Sequence, residues 1–236
     1  EFQVLADGEN AIHFGERFCS IQRRHQKLLE EGPWLSDEVR AKIGSKVCEG
    51  ARAVGYRGLA TFEFLRDKNG EFFFLEVNPR VQVEHTITEM ITGVDLVKLG
   101  IRVAAGESLP ITQEEIEFSG HAIQCRLNAE DPTNFVPSPG KLWDCHFPGG
   151  RGVRVDTHAH IGYEMPGCFD SLLAKIIVWG QDREEAIAKM KAALKETTLI
   201  GVETVIPLHK AILDEPDFIA RDITIQYLEH HPNLLR

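Results

Sequence analysis

The 236-residue sequence is defined first by what it lacks. No apolar run approaches the ~20 residues that cross a bilayer, so a membrane role is not expected. There is no cationic surplus either. Lys and Arg number 26 against 36 Asp and Glu, a net charge of -10, which argues against a nucleic-acid-binding surface. The five cysteines (Cys19, Cys48, Cys125, Cys145, Cys168) include no Cys-x-x-Cys pair. Their odd number and wide spacing point to free thiols in a reducing, cytoplasmic setting. Low-complexity tracts and a signal-peptide pattern are also absent. What remains is an ordinary globular composition, 43% apolar and 26% charged, long enough for one large domain or two small ones. The chain opens directly in a strand-like stretch, Glu1 to Leu5, without an initiator Met, and is expected to be part of something longer.

The most informative stretch is Glu76-Val77-Asn78-Pro79-Arg80-Val81-Gln82-Val83-Glu84. Acid, amide, guanidinium, amide and acid alternate with apolar residues, so an extended backbone would point all five polar groups one way. A solvated strand face also alternates, but usually with an arbitrary polar mixture. Upstream, Leu59 to Arg66 and Glu71 to Val77 read as two strands joined by Asp67-Lys68-Asn69-Gly70, a strong hairpin signal. A two-residue Asn69-Gly70 turn places Glu63 directly opposite Glu76; a four-residue loop makes them diagonal. Either register puts both carboxylates on one face, where like charges repel. Two glutamates and Asn78 are hard oxygen ligands, and a divalent cation such as Mg²⁺ would relieve that repulsion.

Taken in order, Phe2 to Ala6 and Ala11 to Ile21 read as strands, followed by the basic cluster Gln22-Arg23-Arg24-His25-Gln26-Lys27. Alone, that cluster is a solvated strand end; its value depends on anions nearby. Asp37 is expected to cap a helix to about Val54, and helices are expected from His85 to Thr92 and from Leu96 to Ala105. The polar stretch Gly106 to Ser119 suggests a linker at 107–119 between domains 1–106 and 120–236. Strands are expected at His121 to Asn128, Lys141 to Phe147, Gly152 to Thr157 and Ser171 to Gly180. Helices are expected at Asp182 to Glu196, Val205 to Leu213 and Ile225 to Glu229. Strands followed by helices describe an α+β chain. His158-Ala159-His160 could aim two imidazoles at zinc, but no further ligand set accompanies it, and surface histidines are the better reading.

With these motifs in order, the sequence resembles biotin carboxylase, the ATP-grasp component of biotin-dependent carboxylases. The resemblance runs the whole length: Gln-Arg-Arg-His-Gln-Lys, Thr-Phe-Glu-Phe, Glu-Val-Asn-Pro-Arg-Val-Gln-Val-Glu-His, Cys-Arg-Leu-Asn-Ala-Glu-Asp-Pro, and Pro-Ser-Pro-Gly-Lys at Pro137 to Lys141. It implies the C-terminal half of an ATP-grasp fold followed by a biotin carboxylase C-terminal domain, an antiparallel sheet with helices. It also implies that Glu63, Glu76 and Asn78 hold Mg²⁺ (or Mn²⁺) on ATP, that His25 contacts the nucleotide, and that Ile225 lies against the adenine. Lys27, Arg80, Gln82 and the backbone of Val83 would hold bicarbonate, Glu84 would deprotonate it, and Arg126 would stabilise the biotin enolate.

The implied partners are a biotin carboxyl carrier protein or domain and a carboxyltransferase component. A homodimer through the C-terminal region is also implied, with Arg151 standing where an aromatic residue is common in some members. Pro79, where acetyl-CoA carboxylases often have Thr or Ser, leans toward pyruvate-carboxylase-like or other acyl-CoA relatives. In the family a nucleotide-fold domain and a mobile lid precede Phe2, and no Gly-rich phosphate loop occurs in this chain. The 236 residues alone are therefore expected to bind ATP weakly and turn over negligibly. Two further readings stand beside this one: another ATP-grasp carboxylate-amine ligase, and a non-catalytic assembly module whose acids bind only a metal.

Overall fold

The computed structural model describes residues 1–234 and is α+β. In chain order its elements are β1 (Phe2–Asp7), β2 (Ala11–Glu16), β3 (Phe18–Arg23), β4 (Gln26–Gly32), α1 (Asp37–Ala53), β5 (Arg57–Arg66), β6 (Phe72–Asn78), α2 (His85–Thr92) and α3 (Leu96–Ala104). Then follow β7 (His121–Asn128), β8 (Gly140–Lys141), β9 (Asp144–His146), β10 (Val153–Thr157), β11 (Glu164–Met165), β12 (Leu172–Gly180), α4 (Arg183–Glu196), β13 (Thr198–Ile200), α5 (Ile206–Asp214), α6 (Pro216–Ile219) and α7 (Tyr227–His230). No described helix is long and apolar enough to cross a membrane.

The chain divides into two compact units, residues 1–18 with 31–120, and residues 19–30 with 121–236. Sequence order had put 19–30 with the first half. Instead the β3–β4 hairpin supplies two strands to the sheet of the second unit, which has the order β10-β12-β7-β4-β3. The proposed linker 107–119 is tied into the first unit. Leu109 N donates to Asp7 Oδ2 at 2.9 Å, and the Gln113 amide bridges the backbone N and O of His13 at 2.9 Å each. Backbone N–H groups, Asn10 foremost with Leu109 and Glu9, hold the Asp7 carboxyl down at about 2.

The first unit is an antiparallel sheet, β2-β1-β5-β6, covered on both faces. Phe2, Val4 and Ala6 of β1 pack on Ile43, Val47, Cys48 and Ala51 of α1. Leu5 and Leu59 pack on Leu96, Leu99 and Val103 of α3. This double burial explains why β1 reads as a nearly continuous apolar run rather than an alternating one. Ser36, not Asp37, is the N-cap of α1; Asp37 lies in the first turn and pairs with Arg40 at 2.5 Å. An acid in the first turn suits the positive end of the helix dipole, so the residue type was informative and the expected cap position was one residue too late.

In the second unit the apolar faces of β7 and β12 (Ile123, Cys125, Leu127; Ala174, Ile176, Val178) pack on Ala186, Ile187, Met190 and Leu194 of α4. Asp182 caps α4, accepting from Glu185 N at 2.8 Å. Leu208, Ile212, Leu213, Phe218 and Tyr227 of the terminal helices complete the core. Neither β4 nor α6 was anticipated from the sequence. Ala11 to Ile21, expected as one strand, is two, broken at Arg17.

Candidate active site

In the first unit, Glu63 of β5 faces Glu76 of β6, and Thr61 faces Asn78. Neither turn proposed from sequence holds throughout. Arg66 pairs with Phe72 across a five-residue loop, and the register then slips between Glu63 and Phe64. Partners jump from Phe74 to Glu76, leaving Leu75 as the extra residue of a β-bulge. The bulge resolves a conflict of period. Phe72, Phe74 and Glu76 share one parity, yet Phe72 and Phe74 pack edge-on against Phe64 on the α1 face while Glu76 turns to the other face beside Glu63.

Asn78 Nδ2 donates to Glu63 Oε1 and Glu76 Oε1, both at 3.1 Å. Gln82 Nε2 donates to the same Glu63 oxygen at 2.8 Å. Amide N–H groups thus stand between two carboxylates that would otherwise meet unscreened. A half-turn of the Asn78 amide exchanges Nδ2 for Oδ1 and completes a set of hard oxygen donors, so these residues fit Mg²⁺ or Mn²⁺.

The strand ends at Asn78, so the stretch to Glu84 is not one extended face as expected. Pro79 cannot continue the ladder, and Arg80 N turns back to Asn78 O at 2.9 Å. Arg80 remains exposed, with Nη2 3.3 Å from Asn78 Oδ1. Gln82 folds inward to 5% exposure, and Glu84, 2% exposed, is the N-cap residue of α2. Val83 lies in the turn between them. Glu63, Glu76, Asn78, Arg80 and Gln82 are therefore joined by hydrogen bonds through a bend rather than a strand.

In the second unit, Arg24 and His25 form the β3–β4 turn with φ of 49° and 66°. Two successive left-handed residues match the type I′ geometry that hairpins favour, normally with Asn or Gly. Neither is present here, and the strained turn holds the His25 side chain in solvent. Lys27 follows on β4. Arg126, on the neighbouring strand β7, has Nε and Nη2 each 2.6 Å from Glu30 Oε1, while Gln124 Nε2 donates to Glu30 Oε2 at 2.9 Å. Lys175 stands opposite Arg126, and Asp156 opposite Lys175, so four adjacent strands carry a row in which two cations, Lys175 and Arg126, are flanked by two acids, Asp156 and Glu30. Burial would raise the Asp156 carboxyl, yet Arg154 and Lys175 hold it below the usual range; burial pulls Lys175 below its own. Ile225 is exposed in the turn before α7. His158 and His160 both pack edge-on against Tyr163 instead of converging on a metal.

Sequence reasoning missed Glu30 and Arg17. Glu30 is fully buried on the unrecognised strand β4. The signal for Arg17 was a cation interrupting an otherwise strand-like run.

Comparison with known proteins bears on both units. Residues 1–112 match the family model described as carbamoyl-phosphate synthase L chain, ATP binding domain. Residues 124–230 match the biotin carboxylase C-terminal domain. The biotin carboxylase of Allochromatium vinosum is 53% identical over 232 residues, covering 97% of this chain and 51% of that protein. The chain is a homologue of biotin carboxylases. The biotin carboxylase of Haemophilus influenzae is likewise 53% identical, covering 97% of this chain and 52% of that one. Among solved structures, the biotin carboxylase domain dimer of Hydrogenobacter thermophilus 2-oxoglutarate carboxylase superposes with a TM-score of 0.97 at 48% identity. It covers all of this chain and 53% of that one, and was solved with MgADP, ADP and bicarbonate. The chain thus spans about half the length of the curated biotin carboxylase relatives it matches.

Proposed function

We propose that this chain forms part of an ATP- and Mg²⁺-dependent biotin carboxylase, which carboxylates biotin on a carrier protein or domain with bicarbonate. The observation that carries the proposal is the Glu63–Asn78–Glu76 arrangement, two facing carboxylates bridged by one amide, in a chain about half identical to biotin carboxylases.

Bicarbonate is both a weak nucleophile and a weak electrophile, and taking the γ-phosphoryl group of ATP activates it. Glu63, Glu76 and Asn78 would hold the divalent ion, which neutralises phosphate charge when bound. Arg80, Gln82, Lys27 and the backbone of Val83 would fix the bicarbonate oxygens, converting a bimolecular encounter into an oriented one. Glu84 would take the bicarbonate proton as general base. Carboxyphosphate so formed releases CO₂ for attack by biotin N1. That attack requires N1 to lose its proton, which the phosphate released with the CO₂ can take, and the ureido enolate so formed needs a permanent positive charge, which Arg126 would supply because a guanidinium does not deprotonate. His25 would contact the nucleotide and Ile225 the adenine. A carboxyltransferase would accept the carboxyl group, and the dimer seen in the 2-oxoglutarate carboxylase domain suggests the assembly.

Glu63→Gln and Glu76→Gln, made separately in the complete protein that carries this chain, test the proposal. Each is expected to abolish Mg-ATP-dependent carboxylation of biotin while leaving the protein folded. Unchanged activity in both overturns it.

A further inference from the structure

Gln82 is a carboxamide, and its two ends are nearly the same size, so partners decide which end points where. Nε2 donates to Glu63 Oε1 at 2.8 Å, and Oε1 accepts from Arg17 Nη2 at 3.2 Å. A guanidinium offers donors only, so Arg17 tolerates the amide oxygen and rejects the amide nitrogen. Reversing the amide would set its oxygen against the Glu63 carboxylate and two N–H groups against Arg17, a loss at both ends.

Arg17 is well placed to impose this choice. It lies where the chain bends between β2 and β3, and its side chain is 0% exposed. Its five N–H donors meet five acceptors. Nε donates to Glu1 Oε1 at 2.6 Å; Nη1 donates to Gln3 Oε1 at 2.8 Å and Thr88 Oγ1 at 2.9 Å. Nη2 donates to Thr61 Oγ1 and Gln82 Oε1, both at 3.2 Å. Partners on β1, β5 and α2 therefore fix the guanidinium before it meets Gln82. With one Nε2 hydrogen given to Glu63, the second is left to donate to an oxyanion.

We propose that Arg17 is a positioning residue for the anionic substrate: it locks the Gln82 amide with its nitrogen toward Glu63, so that the remaining N–H receives a bicarbonate oxygen. The identity of that anion rests on the function proposed above. Arg17 itself, enclosed by protein acceptors, touches no substrate. It acts on affinity for the anion and not on the nucleotide.

Steady-state kinetics of the complete protein, varying bicarbonate and ATP separately, test this with Arg17→Lys, Gln82→Ala and the double variant. Lysine keeps the charge but has three donors and no fork, so it cannot hold the same five acceptors. Arg17→Lys is expected to raise the bicarbonate KM about ten-fold or more, the scale of losing a hydrogen bond to a charged group, with the ATP KM nearly unchanged. In the Gln82→Ala background the same change should add nothing, because the residue it acts through is gone. If Gln82→Ala leaves the bicarbonate KM unaltered, the proposed function of this site fails. If Gln82→Ala raises it but Arg17→Lys does not, or does so equally in both backgrounds, the positioning role is overturned. Should Arg17→Lys not fold, Gln3→Leu removes one anchor of the guanidinium and should raise the bicarbonate KM selectively but less. No rise overturns the role.

Discussion

Glu63 lies directly opposite Glu76, and the single Asn78 amide nitrogen donates to both, at 3.1 Å each. Facing carboxylates in a sheet repel, and an amide offsets that only partly. The chain should therefore gain stability from Mg²⁺ or Mn²⁺. At ten times the dissociation constant the gain is about 1.4 kcal/mol, a rise in Tm of roughly 3–6 °C. Glu76→Gln should melt no lower than the unsubstituted chain without metal, since one like charge is gone, and should lose most of the metal response. Thermal melts with and without each cation check both.

Part of this was legible in the sequence, and the reason it was incomplete is physical. Asn69-Gly70 between apolar runs marked the hairpin, and both registers expected for it put the two glutamates on one face. The bulge at Leu75 was hidden, because it depends on Phe72 and Phe74 choosing the α1 face while Glu76 takes the other. Alternation from Glu76 to Glu84 suggested one strand, yet Pro79 ends the ladder and Gln82 and Glu84 are buried by folding back. Gln82 and Arg17 meet across 65 residues, and Arg126 and Glu30 across 96; no local period encodes such pairs.

The Arg126–Glu30 pair gives a second prediction. Glu30 is fully buried and spends both oxygens, on Arg126 and Gln124. Removing Arg126 strands that carboxylate, and Arg126→Met should cost about 3–5 kcal/mol in chemical denaturation, the usual cost of an orphaned buried charge. Glu30→Gln keeps the shape and one acceptor oxygen for Arg126 but loses the charge and the second acceptor, which loosens the guanidinium. In the complete protein it should lower the rate of biotin carboxylation about ten-fold or more, leaving the ATP KM close to normal.

His209 of α5 gives a pH signature. Its Nε2 donates to Arg126 O at 2.7 Å, its Nδ1 is buried without a partner, and burial pushes its pKa from 6.5 down to about 4. Between pH 6.5 and 4 the unfolded chain binds a proton there that the folded chain does not, so stability falls as pH falls through this window. The loss amounts to about 3 kcal/mol by pH 4. His209→Gln retains a donor for Arg126 O but cannot titrate. Urea denaturation of the two proteins from pH 7 to 4 should show the difference between them shrinking, or reversing in favour of Gln, across that window.

The last prediction concerns these 236 residues by themselves. Phosphoryl transfer depends on cradling the phosphates and closing out water as well as on metal and acceptor. Glu63, Glu76 and Asn78 supply carboxylates and an amide, while no Gly-rich phosphate loop occurs in the sequence and the match extends over about half of each relative. Metal binding and phosphoryl transfer should therefore separate. The chain alone should show the Mg²⁺-dependent rise in Tm yet bind ATP weakly and carboxylate free biotin at a negligible rate. Isothermal titration with MgATP and a bicarbonate-dependent biotin carboxylation assay check the two halves. Robust turnover would mean that the grip on the phosphates lies within these residues, and Arg80 and the strained Arg24–His25 turn would be the first places to look for it.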